Sequence, residues 1–259
     1  MTYCVGMLLD KGLVLMSDTR TNSGVDNIST FRKLHVFSRP GERIMAIASA
    51  GNLAVSQSVL STLTEGLPDS TEGEPETLMN APSMFKGAQR IGRAIRHVNA
   101  TEAQALKAED INYEVSFLFG GQIKGERMRL FLLYSEGNFI ESTPETPFFQ
   151  IGETKYGKPI IDRVITPDST LIEAEKCLLV SFDSTMRSNI SVGLPIDMLT
   201  CETDALRVRM MKCIQESDPY YKLIHTEWGN GLKRIFSQLP DPQWEAQDPP
   251  SVQYQSQIF

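Results

Sequence analysis

The sequence predicts an α+β fold in which two antiparallel sheets are flanked by helices. The chain has 259 residues, of which 41% are apolar, so it can bury a sizeable core and is not disordered throughout. The predicted elements follow the order strands, helices, strands, helices, strands, helix. A parallel doubly wound sheet needs a regular alternation of strand and helix, and this order therefore favours antiparallel sheets.

The N-terminal part is predicted to hold four strands and one helix. The turn Asp10-Lys11-Gly12 separates the first two strands, and a polar loop over residues 20–30 precedes the third. Apolar residues beyond Gly51 recur at helical spacing until Gly66 ends the helix. The predicted strands cover residues 3–9, 13–16, 33–37 and 43–50.

Blocks of strands and helices continue to residue 239. A second sheet is predicted to begin with the strand over residues 113–121, and the strands over 139–141 and 148–152 extend it. The other predicted strands cover residues 128–134, 196–201 and 208–214, and the predicted helices cover 84–108, 156–165, 171–189 and 219–239.

Two segments lack a regular pattern. Residues 68–83 are acidic and rich in Pro, Ser, Thr and Gly, which predicts a solvated loop without chemistry. Residues 1–239 are expected to form a single domain, and residues 240–259 an extended C-terminal tail with four prolines. Disorder of this tail and its docking on a neighbouring subunit both stay open, and its aromatic residues favour docking.

Charge and composition exclude several classes of partner. The chain has 25 Lys and Arg against 32 Asp and Glu, and no run of basic residues predicts a stripe for phosphates, so nucleic acid is not expected. No apolar run approaches the roughly 20 residues of a membrane span. Asp10 and Lys11 interrupt the N-terminus before a signal-peptide core is complete. We therefore expect a cytoplasmic protein that does not bind membranes.

Cysteine and histidine are sparse. The four cysteines form no CxxC pair and lie in apolar segments, which predicts buried thiols rather than disulfides or a zinc site. Among the three histidines, His225 adjoins Thr226, but both lie in a predicted helix, where consecutive side chains point apart. If the protein is a hydrolase, its base is predicted to be another kind of group.

The residue after Met1 is a threonine at the start of an apolar strand. Processing aminopeptidases accept a small residue such as Thr2 behind the initiator. Removal of Met1 would expose an α-amine whose ordinary pKa lies just under about 8, two carbons away from the Thr2 hydroxyl. Thr2 would then supply a base and a nucleophile together.

Three further residues are candidates for the surroundings of Thr2. If the first hairpin turns at Lys11-Gly12, facing residue numbers sum to about 22 or 23, so Arg20 or Thr21 would face Thr2 and Asp18 would lie on the diagonal. Lys33, oriented by Asp18, would lower the pKa values of the amine and the hydroxyl. The amide of Gly51, at a strand end, is the candidate oxyanion donor. Spacing alone also fits ordinary structural roles for these residues.

Four segments of the chain resemble a known family. TYCVGMLLDKGLVLMSDTRTNSG, NISTFRKLHVF, ASAGNLAVSQ and MRSNISVGLPIDMLTCE are similar to proteasome β-type subunits, within the N-terminal nucleophile hydrolases, and specifically to the bacterial ancestral-beta-subunit family, Anbu. The similarity runs in order from the N-terminus to about Gln238. It implies a four-layer αββα sandwich.

The resemblance also implies roles for particular residues. Thr2 matches the nucleophile, Asp18 and Lys33 match its charged partners, and Gly51 matches the oxyanion glycine. Of the proteasome motif Arg-Asp-x-x-Ser-Gly the chain keeps Ser191, and it has Ser188 in place of the aspartate. Glu153 stands where proteasomes have a serine that organises the amine. The scheme needs no cofactor and no metal.

The function implied is a threonine peptidase or amide hydrolase that acts on peptides or unfolded proteins within a self-assembled ring or helical homo-oligomer. Removal of Met1 would require an aminopeptidase. The altered residues Glu153 and Ser188 motivate one alternative, a self-assembling shell subunit with a relict site. The resemblance to the N-terminal nucleophile hydrolases, some of which act on small amides, leaves a second alternative, a hydrolase of a small amide. The sequence contains no GxxxxGK[ST] loop, so any unfoldase would be a separate protein.

Overall fold

A computed structural model describes residues 2–22, 28–67, 74–108 and 113–244. The strands are β1 (Tyr3–Leu9), β2 (Gly12–Asp18), β3 (Arg20–Asn22), β4 (Ile28–Thr30), β5 (Leu34–Arg39), β6 (Arg43–Gly51), β7 (Val115–Ile123), β8 (Arg129–Leu133), β9 (Phe139–Glu141), β10 (Phe148–Gly152), β11 (Ile196–Glu202) and β12 (Met210–Ile214). The helices are α1 (Leu53–Glu65), α2 (Met84–Ala108), α3 (Lys158–Val164), α4 (Leu171–Ser188) and α5 (Pro219–Gln238).

The described strands form two five-stranded antiparallel sheets and one small hairpin. The first sheet has the order β10-β1-β2-β11-β12, the second has the order β5-β6-β7-β8-β9, and β3 pairs with β4 alone. Leu13 and Leu15 of the first sheet share a buried core with Ile44 and Leu130 of the second, so the two sheets pack face to face.

Helices cover the outer faces of both sheets. Met7 and Met16 of the first sheet pack with Phe182 of α4, and Ile47 and Phe117 of the second pack against α1 and α2. The result has four layers, helix, sheet, sheet and helix. The predicted α+β fold and the αββα sandwich are therefore confirmed. Each sheet has apolar residues on both faces, so one face packs against the other sheet and the other face against helices.

The hairpin register differs from the prediction. Cys4 pairs with Ser17 and Leu9 with Gly12, so facing residues sum to 21 rather than 22 or 23. The turn consists of Asp10 and Lys11 alone. Gly12 is already in β2, with φ +151°, where a Cβ would overlap the carbonyl oxygen of Cys201. Glycine is therefore needed at this position so that β11 can pack closely against β2, and not to form the turn.

The sheets are also divided differently. The second sheet begins with β5 rather than with β7, and β10 joins β1 in the first sheet instead of extending the second. The loop predicted over residues 20–30 contains β3 and β4. Periodicity identifies strands, but it carries no information about which edge a strand joins, and that explains the two differences in sheet membership. Strands β3 and β4 have only three residues each, most of them polar, which is too little for an alternating apolar pattern to predict them.

Other predictions meet the structure only in part. Residues 68–73 of the predicted acidic loop and residues 245–259 of the tail lie outside the described residues, and Leu78–Asn80 forms a short 3₁₀ turn. All four cysteines are free, but only Cys4, Cys177 and Cys201 are buried, since Cys213 lies on the edge strand β12.

Among the described residues, no helix is both long and apolar enough to cross a membrane.

Candidate active site

Thr2 is held in place by the end of β10. The residue directly precedes β1 and is 8% exposed. The amide of Glu153 donates a hydrogen bond to the Thr2 carbonyl oxygen at 2.7 Å. Gly152 has φ +81°, and a Cβ there would overlap the same carbonyl oxygen. Only glycine allows β10 to approach so closely, so this contact fixes where the chain begins β1.

The ammonium of Lys33 joins three parts of the site. Its Nζ donates to Thr2 Oγ1 at 2.7 Å, to Asp18 Oδ1 at 2.9 Å and to the Arg20 carbonyl oxygen at 2.6 Å. Asp18 Oδ1 also accepts the amide of Tyr3 at 3.1 Å. Three of the predicted site residues therefore form one cluster, in which Thr2 and Asp18 both bind Lys33 directly.

Burial shapes the protonation of this cluster. It raises the pKa of the Asp18 carboxyl, against the opposing effect of the Lys33 ammonium and the Tyr3 amide. Burial, together with the charge of Asp18, raises the pKa of Cys4 to about 12. Cys4 is therefore a neutral thiol at neutral pH and is no rival nucleophile to Thr2.

The same geometry decides which groups are free to act as a base. An ammonium has three protons, and Lys33 has three acceptors, of which a carboxylate and a carbonyl can only accept. Lys33 is thus a donor to the Thr2 hydroxyl oxygen. If Met1 is removed, a free α-amine on the same residue is the nearest candidate for a base.

Gly51 ends β6 with its amide directed away from β7. The Asn52 amide donates a hydrogen bond to the main-chain carbonyl oxygen of Glu114, on the β7 side. The Ser49 amide donates to the main-chain carbonyl oxygen of Lys33, on the other side. Amides alternate along a strand, so the Gly51 amide shares the direction of the Ser49 amide. Beyond Lys33 this edge opens into the cleft that Gly51 shares with Thr2. The role of Gly51 as the oxyanion donor stays a prediction.

The cleft beside Thr2 has a volume of about 250 Å³. It contains one further cation, the side chain of Arg20, and no carboxylate among the described residues that line it. The lining residues are Thr2, Arg20, Thr21, Lys33, Ser49, Ala50, Gly51, Leu53, Ser56 and Gly152.

The remaining predicted site residues are Glu153, Ser188 and Ser191. The Glu153 carboxylate accepts hydrogen bonds from the Lys155 amide and from Asn189 Nδ2, while the Ser191 amide donates to Asn189 Oδ1. Neither Ser191 nor Ser188 lines the described part of the cleft, and Ser188 lies in the groove between α4 and α5. The roles assigned to these residues stay predictions.

The amino-acid sequence did not indicate the main-chain partners of the cluster. The Tyr3 amide donates to Asp18 Oδ1, and the Arg20 carbonyl accepts from Lys33. Main-chain groups leave no compositional signal, so only a correct hairpin register could have indicated them. Asn189, which links Glu153 to Ser191, has a weak signal as the polar C-cap residue directly after α4.

The fold and the site together define a proteasome-like β-type subunit, and known structures agree. The chain is similar to an Anbu (Gly-1) mutant from Hyphomicrobium sp. strain MC1, with 47% identity, TM-score 0.86, and 94% of this chain and 100% of that one covered. It is also similar to Anbu (ancestral beta-subunit) from Yersinia bercovieri, with 48% identity and TM-score 0.85, and 94% of this chain and 100% of that one are covered.

A third structure is the helical assembly of the Anbu complex from Pseudomonas aeruginosa, with 45% identity, TM-score 0.86, and 93% of this chain and 98% of that one covered. No family model and no curated protein matches the chain. Identity at this level over nearly the whole length shows that the chain belongs to the Anbu family.

Proposed function

We propose that this chain is a threonine-type amide hydrolase that cleaves peptides or unfolded proteins within a self-assembled oligomer. Thr2 becomes the nucleophile once Met1 is removed. The observation that carries the proposal is the position of the Lys33 ammonium, which donates to Thr2 Oγ1 at 2.7 Å and to Asp18 at 2.9 Å.

The first half of the reaction forms an ester. The free amine of Thr2 takes the proton of Oγ1, directly or through a water, as Oγ1 attacks the peptide carbonyl carbon. The Gly51 amide stabilises the oxyanion, and Lys33 stabilises the charge that develops on Oγ1. The C–N bond then breaks, and the amine returns its proton to the leaving nitrogen.

The second half hydrolyses that ester. A water loses a proton to the amine and attacks the acyl carbon, the C–O bond breaks, and the proton goes to Oγ1. The free carboxylic acid leaves and Thr2 is regenerated. All the protons therefore pass through one residue, consistent with the scarcity of histidine.

A decisive test combines intact mass with covalent labelling. The purified chain should lack the mass of Met1, and a hydroxyl-directed electrophile should add once, at Thr2. Thr2→Ser should keep the adduct and Thr2→Ala should lose it, while Lys33→Ala should label at least about 100-fold more slowly because the oxygen loses its electrostatic support. A retained Met1 without any adduct would contradict the proposal and favour the shell subunit.

Self-association is part of the proposal. The helical assembly of the Pseudomonas aeruginosa relative is consistent with it. In the chain itself, α5 exposes apolar side chains at the spacing of one helical face. Their exposed fractions are Leu232 52%, Ile235 57% and Phe236 78%, and Leu239 just beyond the helix is 62% exposed. A contiguous apolar stripe on water is typical of a surface that another chain covers.

The size of the cleft favours a second candidate, a small amide as substrate. A volume of about 250 Å³ lies below the usual range for drug-sized ligands, and most of the lining is polar or very small. Parallel assays with fluorogenic peptides and with small amides discriminate the two candidates. Turnover confined to small amides would replace the peptidase proposal, although Thr2 would remain the nucleophile.

A further inference from the structure

Helix α2 places four basic side chains around one pocket. Lys86, Arg90, Arg93 and Arg96 line a cavity of about 470 Å³, which Phe139 helps to close. Residues three and four apart lie on the same helical face, so these side chains form the stripe that composition did not indicate. The expectation that the chain lacks a basic stripe is therefore wrong for this helix.

The charges in this pocket are unbalanced. Glu76 is the one carboxylate among the described lining residues, and it pairs with Arg93 and, at 3.7 Å, with Arg90. Lys86 forms no ion pair with any residue in the part of the chain that the structure describes. Three positive charges are thus left uncompensated in a chain whose net charge is -7.

Arg90 is a cation of this pocket whose pKa is lowered, chiefly by burial. Burial lowers the pKa of its guanidinium, and the charges of Arg93 and Arg43 lower it further, against the effect of Glu76. Maintaining several cations together costs free energy, and a bound anion would offset that cost.

Two of the guanidinium groups are already oriented. Arg90 donates to the Thr77 carbonyl and to Asn80 Oδ1, and Arg96 donates to the Gly137 carbonyl at 3.0 Å. Each guanidinium has five N–H groups, so donors remain for a ligand. Lys86 and Arg96 are about 15 Å apart along the helix axis, at 1.5 Å per residue, which is too far for one simple ion to bridge.

We propose that the α2 pocket binds a small ligand carrying two or more oxyanion groups. Its volume suits a small molecule, and guanidinium groups bind phosphate and carboxylate oxygens in pairs. The pocket does not include Thr2, so this inference does not depend on the proposed hydrolase activity.

Calorimetric titration at constant ionic strength tests the site with two probes, tripolyphosphate and citrate. We expect saturable binding of at least one probe with one site per chain, and about tenfold weaker binding to Lys86→Met, since a charge-assisted contact is lost. Arg96→Gln should weaken binding similarly. Lys11→Met removes the same charge from the β1–β2 turn and should bind as the unmodified chain does.

The outcomes separate the two sources of oxyanion. Binding of tripolyphosphate alone supports a phosphate ligand, and equal binding of citrate supports a carboxylate ligand. Absence of saturation with both probes would overturn the inference. Equal weakening in Lys11→Met and Lys86→Met would overturn it as well, because it would reduce the effect to overall charge. Unfolding curves without ligand verify that all the variants are folded.

Discussion

At the scale of single residues, Lys33 and Asp18 form a buried ion pair beside Thr2. Their side chains are 6% and 0% exposed. A buried ion pair is tolerated when its hydrogen bonds are satisfied, and the Tyr3 amide and the Arg20 carbonyl contribute to that here. Loss of one partner would leave the other charge buried and without its counter-ion.

Replacing Lys33 should therefore destabilise the fold as well as the activity. Lys33→Met should lower the free energy of unfolding by about 3–5 kcal/mol, because the Asp18 carboxylate loses its counter-ion. Lys33→Met combined with Asp18→Asn should recover much of that loss, since no charge is then stranded. Urea denaturation of the two variants measures this, and equal stability of Lys33→Met and the unmodified chain would contradict the prediction.

The position of Thr2 should depend on Gly152. Gly152→Ala introduces a Cβ against the Thr2 carbonyl and should abolish labelling of Thr2 by the electrophile. Gly125→Ala is the matched control, because Gly125 has nearly the same backbone angle, φ +84° against +81°, with nothing within 4 Å of its Cβ. Labelling should persist in the control. Equal effects of the two changes would assign the loss to backbone strain alone.

At the scale of elements, α5 differs from the other long helices. Its N-terminal half is anchored, since Tyr221 and Ile224 are buried and Tyr221 donates to Asp183. Its C-terminal half projects the apolar stripe into water. The first half therefore attaches α5 to α4, and the second half is available to another chain.

Polar substitution in the stripe should weaken assembly without unfolding the subunit. Phe236→Ser removes a side chain that is 78% exposed, so its effect on monomer stability should be small. Native mass spectrometry should show a shift toward smaller species. Ser237→Ala, on the adjacent exposed position, should assemble normally. Unchanged assembly of Phe236→Ser would exclude this face of α5 from the subunit contact.

At the scale of the whole molecule, three cores hold the four layers together. Cys177 lies in the core under α4, and Cys4 and Cys201 lie between the sheets. Burial raises the pKa of both Cys177 and Cys201 to about 12. Cys213 is exposed on the edge strand β12. The reactivity of the three buried thiols therefore measures whether the cores between the layers are closed.

Alkylation should distinguish the thiols by burial. Iodoacetamide at pH 8 should add once to the folded, dissociated subunit, at Cys213, and four times in urea. The buried thiols are both inaccessible and protonated, so their reaction requires opening of the core. Peptide mapping identifies the sites. Rapid modification of Cys201 without denaturant would contradict the packing between the sheets.

Local patterns predicted most elements. The bounds of α2 and of β9 agree with the prediction at both ends, because helical periodicity and strand alternation are local properties. The β1–β2 register and the sheet that β10 joins were predicted wrongly, because they depend on a turn geometry and a pairing partner. The catalytic roles of the site residues, the cytoplasmic location and the lack of a nucleic-acid or membrane partner stay predictions.

The amino-acid order alone determined the fold class, the family resemblance and the candidates Thr2, Asp18, Lys33 and Gly51. Tertiary structure decided that a single ammonium bridges Thr2, Asp18 and the Arg20 carbonyl, and that four basic residues of α2 share one pocket. Patterns along a chain specify the faces of elements. Distances between side chains on separate elements follow only from the packing of those faces against one another.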